Sequence, residues 1–305
     1  MKLSNKSTIH TPNHEQSLHI FHIDYDIDDS GSMKQMENKF YNELFNNIPN
    51  FAFGKHQVEK RLKDGDSIIP IVREAMEKIY SIPEIQEARE YYTGNLDVED
   101  KYIKRGEFGE LILYHLLHEY FDADALISKI YFKDSLSLAP HGFDAVHVDS
   151  EKRNLWLGES KLYKDGYKAI YELINDLKGH FQTDFFHSEF TIISNRVQDD
   201  DGEDDDFIKE LIAPETKCLD KLANIKIALF AGYSSDCINQ VDPSEDLFLE
   251  KLKIEGQKMM DSLNAGKEKH PWRNHLNVYL FLLPVKNKTE FVKSLHLKLL
   301  GGQQI

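Results

Sequence analysis

The sequence has no long apolar segment and very little cysteine. Its longest apolar run, Val278–Val285, falls well short of the ~18 residues that a membrane-spanning helix needs, and it contains Pro284. The two cysteines, Cys218 and Cys237, form no CxxC pair, so we interpret them as ordinary thiols rather than as a disulfide. These absences predict a soluble, cytoplasmic protein that does not interact with a membrane.

Positive charge is also scarce. The chain has 37 Lys and Arg residues against 52 Asp and Glu residues, which gives a formal net charge of -15. A protein that binds nucleic acid unaided usually carries an excess of basic side chains, because neutralising phosphates supplies most of the non-specific affinity. The composition therefore argues against a DNA-binding protein that works without a partner.

Hydrophobic residues make up 41% of the 305 residues, which is enough for a substantial core in one or two domains. From residue 105 onward, periodicity predicts a helix, three strands, a helix and a strand, at residues 110–120, 126–132, 143–148, 154–162, 167–186 and 189–194. Later segments predict two strands and two helices, at residues 225–231, 276–283, 244–263 and 288–300. The pattern indicates an α/β fold.

Two short motifs place acidic and basic side chains on neighbouring predicted strands. Asp144 lies on the strand at 143–148, and Glu159 and Lys161 lie on the strand at 154–162. Because strand side chains alternate between faces, Glu159 and Lys161 point the same way, and a hairpin can bring Asp144 close to Glu159. Burying two carboxylates is costly unless a cation neutralises them, so the spacing predicts a divalent metal site.

Such a site suits hydrolysis of a phosphodiester bond. We expect Asp144, Glu159 and the backbone carbonyl of Ser160 to hold Mg²⁺, for which Mn²⁺ can substitute, against a phosphate oxygen. Lys161 would orient the attacking water or offset the negative charge that grows in the transition state. No covalent intermediate is required.

A further acid lies on the helix that precedes the strands. Glu107 and Glu110 are three residues apart and share a helix face. Glu110 stands one turn before the apolar Tyr114, which places it at the edge of the core and directs it towards the site. We therefore include Glu110 among the catalytic and metal-binding residues, whereas Glu107 in the first turn also suits the helix dipole.

These motifs carry a family resemblance. The segments GE at 109–110, GFD at 142–144 and GESK at 158–161 resemble the PD-(D/E)XK nuclease superfamily, although Phe143 replaces the proline that gives the motif its name. The longer strings RGEFGELILYHLL, HGFDAVHV and LWLGESKLY resemble the nuclease subunit of the Hachiman anti-phage defence system, the HamA family.

The resemblance implies a restriction-endonuclease-like core, with a mixed central sheet flanked by helices. It implies a DNA-degrading effector that is bound to a superfamily 2 helicase subunit. Asp144, Glu159 and Lys161 match the catalytic positions of the motif, and Glu110 matches its helical acid. Superfamily relatives often place polar residues on the following helix, which makes residues 179–182 a further candidate. A helicase that delivers DNA would also reconcile the acidic composition with a nuclease.

We divide the chain at residue 104. Residues 1–104 are an N-terminal extension that could bind a partner. Residues 105–305 are the nuclease domain, with a catalytic core at 105–195 and a C-terminal elaboration at 196–305. Within the elaboration, the acidic run at 198–206 is expected to be a solvated loop, because Val197 breaks the pattern of a calcium-binding EF-hand loop.

Two other functions remain open at the level of sequence. The first is a catalytically silent regulatory or DNA-binding subunit that keeps a nuclease-like fold. The second is a repair or restriction nuclease of the same superfamily, for which a basic recognition region would be expected and is not found.

Overall fold

The computed structural model describes residues 17–80, 103–104, 106–128, 142–149, 151, 153–199, 206–240 and 246–304. The strands in these ranges are β1 (Leu18–Ile20), β2 (Tyr25–Ile27), β3 (Met33–Gln35), β4 (Asp124–Ser128), β5 (Ala145–Asp149), β6 (Asn154–Tyr163), β7 (Ile225–Ser234) and β8 (Val278–Val285).

The helices in the same ranges are α1 (Glu37–Asn46), α2 (Ile48–Phe53), α3 (Lys55–Lys63), α4 (Ile68–Ile79), α5 (Glu107–Phe121), α6 (Gly166–His180), α7 (Thr183–Asp199), α8 (Asp206–Ile212), α9 (Cys218–Ala223), α10 (Asp236–Gln240), α11 (Asp246–Lys267) and α12 (Lys288–Gln303). None of these described helices is both long enough and apolar enough to cross a bilayer.

Six of the described strands form one mixed sheet in the order β1-β8-β7-β6-β5-β4. The pairs from β1 to β6 are parallel, and β5 and β4 join in antiparallel fashion, while β2 and β3 form a separate hairpin. Parallel strands that are covered on both faces read as continuous apolar runs, as β7 and β8 do. The mixed central sheet flanked by helices is confirmed.

Alternate residues of each strand contribute to two cores, one on each face of the sheet. On β6, Trp156 points into the first core, which includes α1, α2, α4, α5 and α12. Leu155 and Leu157 point into the second core, which includes α6, α7, α8 and α11. A one-residue slip of β6 would move each of its side chains to the opposite core. Because burying a side chain of this size stabilises the fold by about 1.5–3 kcal/mol, such a slip is strongly disfavoured. This alternation fixes the face that Glu159 and Lys161 take.

The described part of the N-terminal region completes the sheet and covers one of its faces. Leu18 of β1 lies opposite Leu280 of β8, at the edge of the sheet. Leu44, Ile48 and Ile71, from helices α1, α2 and α4, are fully buried in the first core. The division of the chain at residue 104 and the binding of a partner by residues 1–104 stay predictions.

The strand predicted at residues 189–194 is wrong, because these residues lie in helix α7. The β-branched Thr191 and Ile193 favoured a strand. In the structure, Phe186, Phe190 and Ile193 follow helical spacing and are buried in the second core. Burial of this apolar face outweighs the local preference for a strand.

Two further boundaries differ from expectation. The helix predicted at 167–186 ends at His180, because Phe181 leaves helical geometry (φ -98, ψ 53), and α7 then begins at Thr183. The acidic run is helical at its ends, where Asp199 closes α7 and Asp206 opens α8. Residues 200–205 lie outside the described residues, as does the part of the predicted strand 126–132 that follows residue 128.

We expect Gly158→Ala to destabilise the protein by about 1–3 kcal/mol, because the added methyl group overpacks the core. Its Cβ atom would lie 2.7 Å from Leu113 Cδ2 and 3.0 Å from Ala145 Cβ. Gly301→Ala is the matched control, since nothing lies within 4 Å of its added Cβ and alanine is favoured in a helix. Urea unfolding measures both variants, and a Gly158→Ala protein as stable as the control would contradict this packing.

Candidate active site

The antiparallel ladder between β5 and β6 stops at the pair Ala145 and Gly158. One residue further, the Asp144 N–H donates to the Gly158 carbonyl oxygen at 2.9 Å. Beyond that point, the Ser160 N–H donates to Asp144 Oδ2 at 2.9 Å, and the Ser160 hydroxyl donates to the same oxygen at 2.8 Å. The carboxylate of Asp144 thus replaces a backbone partner and is fixed against β6.

Glu159 and Lys161 lie on the same face of β6 and meet helix α6. Glu159 Oε1 is 2.7 Å from His180 Nδ1, and Lys161 Nζ is 2.5 Å from Asp176 Oδ2. The Glu159 side chain is only 5% exposed, whereas that of Lys161 is 21% exposed. The pair therefore runs from the protein interior at Glu159 towards the solvent at Lys161.

The charges of this cluster perturb one another. Burial, followed by the negative charge of Asp144, raises the pKa of Glu159 to about 7, although His180 opposes this change. Burial alone would lower the pKa of Lys161, but the hydrogen bond and charge of Asp176, together with the charges of Glu159 and Asp144, raise it. The structure therefore brings Asp144, Glu159 and Lys161 within electrostatic reach of one another.

His180 takes part in the same network. Burial would lower the pKa of its imidazole, but the hydrogen bond and charge of Glu159, with the charges of Asp176 and Glu189, raise it. Its ring stacks on Phe185, with centroids 4.4 Å apart and planes inclined by 5°. The ring is therefore held by packing as well as by charge.

A fourth acid lies beside the Asp144 segment. Glu189 of α7 is buried, and its Oε2 atom would be 2.9 Å from a Cβ atom added at Gly142. Gly142 has a φ of +157, a backbone conformation that residues with side chains rarely adopt. Glycine at position 142 thus leaves room for the Glu189 carboxylate beside the segment that leads into Asp144.

Glu110 is buried in the first turn of α5. Its neighbour Gly109 brings α5 against the site, since a Cβ atom there would lie 3.2 Å from Ser160 Oγ, the hydroxyl that binds Asp144. Helix α5 packs on the first core, so it approaches the site from the face of the sheet opposite α6. The role of Glu110 as a ligand stays a prediction.

Sequence reasoning included His180 only as part of the stretch 179–182 and did not select Asp176 or Glu189. The available signal was the spacing of Asp176 and His180, which are four residues apart on the helix that follows the motif strand. Glu189 lay in a segment predicted as a strand, so its position on a helix beside Gly142 was not foreseen.

The oxygen donors of the site are compatible with a divalent metal ion. Within the described ranges, no three His, Cys, Asp or Glu side chains converge as a complete metal site. Mg²⁺ does not need such a cage, because one or two carboxylates with water and substrate phosphates usually hold it. Asp144 and Glu159 supply two carboxylates, and a cation between them would oppose both causes of the raised Glu159 pKa, which are burial first and the negative charge of Asp144 second.

These features define a mixed α/β protein with two buried acids, Asp144 and Glu159, and a partly exposed Lys161 at the point where two strands of its sheet diverge. The HamA family model matches residues 2–299, nearly the whole chain. The chain therefore belongs to the HamA family, which is part of the Hachiman anti-phage defence system. No curated protein and no solved structure matches the chain.

Proposed function

We propose that this protein is a metal-dependent DNA nuclease of the PD-(D/E)XK kind and the effector subunit of a Hachiman defence complex. One observation supports the proposal: the buried carboxylate of Asp144 is bound to β6 at Ser160, directly beside the buried Glu159, and Lys161 lies on the same face of the strand as Glu159. Membership of the HamA family supports the role in defence.

Asp144 and Glu159 would hold Mg²⁺ or Mn²⁺, with the Ser160 carbonyl and Glu110 as further ligands. When bound, the metal ion supplies a Lewis acid for a phosphate oxygen and lowers the pKa of a coordinated water. Ser160 holds Asp144 through two hydrogen bonds to Oδ2, which fixes the orientation of this ligand. Glu159 binds a cation only as a carboxylate, so its raised pKa in the metal-free protein means that protons compete with the metal ion below about neutral pH.

Lys161 lies between the buried acids and the solvent, where a phosphate group can approach. Its ammonium group stays charged at neutral pH, because the surrounding acids raise its pKa. A fixed positive charge at this position offsets the negative charge that develops on the phosphate, and it can orient the attacking water. This is the function that the position of Lys161 on the Glu159 face supports.

A net charge of -15 makes the chain a poor DNA binder by itself. We propose that a superfamily 2 helicase subunit binds this protein and delivers the DNA. Co-purification tests the partnership: the two proteins, expressed together, should co-elute from a sizing column. Separate elution at micromolar concentration would contradict it.

The proposed activity is tested by incubating plasmid and linear DNA with the purified chain, with and without the proposed helicase subunit. We expect cleavage with Mg²⁺ or Mn²⁺ and none with EDTA, because the carboxylate pair needs its cation to act on a phosphate. Cleavage of plasmid would indicate an endonuclease, and cleavage restricted to linear DNA an exonuclease. An absence of cleavage under all these conditions would favour a catalytically silent regulatory subunit.

A further inference from the structure

A single helix supplies an oppositely charged partner to each of the two motif residues of β6. Glu159 and Lys161 are two residues apart, so they lie on the same face of β6. Asp176 and His180 are four residues apart, so they lie on the same face of α6. The strand acid meets the helix base at 2.7 Å, and the strand base meets the helix acid at 2.5 Å.

Asp176 lies on a helix whose position is fixed, so it can hold the ammonium group of Lys161 in place. Its neighbours Leu173 and Leu177 are buried in the second core, which fixes α6 against the sheet. The Asp176 side chain is 25% exposed, and the Lys161 side chain that it contacts is 21% exposed. A rigid helix therefore presents an acid at the partly open end of the site.

Lys161 requires such a partner because its ammonium group sits on a flexible four-carbon stem. Glu159, a buried acid two residues away on the same face of the strand, also attracts this charge. Without Asp176, the ammonium group would move towards Glu159, the carboxylate that we assign to the metal ion. It would then be misplaced for catalysis and would compete with the cation.

We propose that Asp176 is a positioning residue, which anchors the Lys161 ammonium group for the reaction and keeps it away from Glu159. The inference rests on the proposed nuclease function and adds to it a residue that acts through Lys161. It makes two separate claims, one about turnover and one about metal affinity, and each has its own measurement.

The test compares Asp176→Asn with wild type, with Lys161→Met and with Glu172→Gln, a matched control that removes an acid one turn earlier on α6. We expect Asp176→Asn to lower kcat by roughly 10- to 100-fold with little change in KM for DNA, because the reacting groups are misaligned. Glu172→Gln should behave as wild type. Circular dichroism checks folding, and Asp176→Glu, which keeps the charge, should recover part of the loss.

Mn²⁺ binding, measured by calorimetry on the same proteins without DNA, tests the second claim. Asp176→Asn should weaken Mn²⁺ binding severalfold, but it should have no effect when Lys161→Met is also present, because no ammonium group then competes for Glu159. An equal effect in both backgrounds would show that Asp176 does not act through Lys161.

Different results would overturn the nuclease function and the positioning role of Asp176. If wild type cuts DNA and Lys161→Met does not, but Asp176→Asn cuts as wild type does, the positioning role is overturned and the nuclease function stands. If wild type does not cut DNA under any metal or partner condition, the nuclease function is overturned and the positioning role falls with it.

Discussion

Glu159→Gln is expected to lower the rate of DNA cleavage by about 1,000-fold or more. The substitution keeps the size of the side chain but removes the negative charge that, with Asp144, is expected to hold the cation. Initial rates on linear and plasmid DNA with saturating Mg²⁺ or Mn²⁺ measure the effect. Lys161→Met should cause a loss of similar scale, because it removes the fixed positive charge beside the phosphate.

The control for this loss is Glu172→Gln, which makes the same chemical change on helix α6 and should retain full activity. Metal binding separates the two site variants: Glu159→Gln should lose Mn²⁺ binding, whereas Lys161→Met should keep it. Cleavage by Glu159→Gln at the wild-type rate would refute the assignment of Glu159 as a metal ligand.

The second large effect concerns stability and pH in the absence of metal. The pKa of Glu159 is about 7 in the folded protein, against 4.5 for an unperturbed glutamate, because burial and Asp144 disfavour the charged form. Between pH 4.5 and 7, the unfolded chain releases a proton that the folded protein retains. The contribution of Glu159 to stability therefore falls as the pH rises through this window and does not recover above it, a change of roughly 3 kcal/mol.

Glutamine at position 159 does not titrate, so Glu159→Gln should escape this loss. Urea unfolding in EDTA at pH 5 and pH 8 measures the effect as the difference between wild type and variant, which cancels the titration of groups that Glu159 does not perturb. His180, whose pKa Glu159 raises, adds a loss of the same sign to wild type. We expect the variant to gain about 2–3 kcal/mol relative to wild type between the two pH values. An unchanged difference would mean that Glu159 is not perturbed by burial and by Asp144.

Mn²⁺ adds an internal check to this experiment. At pH 8 it should raise the unfolding free energy of wild type, because the ion binds the folded state through the ionised carboxylates. It should have little effect on Glu159→Gln. Both predictions concern one side chain, yet activity and metal-free stability should change in opposite directions, which a general loss of structure would not produce.

The central part of the site could be predicted from the sequence because it depends on local geometry. Strand alternation places Glu159 and Lys161 on one face, and a short antiparallel connection brings Asp144 to the same strand. The continuous apolar runs of β7 and β8 also predict buried strands. These features need no knowledge of how distant elements pack.

Asp176 and Glu189 could not be predicted in the same way. Their positions depend on how α6 and α7 dock on the sheet, and docking is decided by buried residues far apart in sequence, such as Phe190 and Met259. The helix at 183–199 was mistaken in part for a strand, since Thr191 and Ile193 favour strands when burial is ignored. The local secondary-structure preference thus gave a wrong prediction for a segment whose structure depends on packing against residues distant in sequence.

The pairing of β1 with β8 has a consequence for the way the chain folds as it is made. Leu18 and Leu280 are direct partners, although they lie 262 positions apart in the chain. At the usual 5–20 residues per second, a ribosome needs roughly 13–50 s to make the intervening chain, so β1 waits that long for its neighbour. The sheet that supports Glu159 is therefore completed only after β8 has been synthesised, and until then a nascent chain carries its acidic motif on an unfinished sheet.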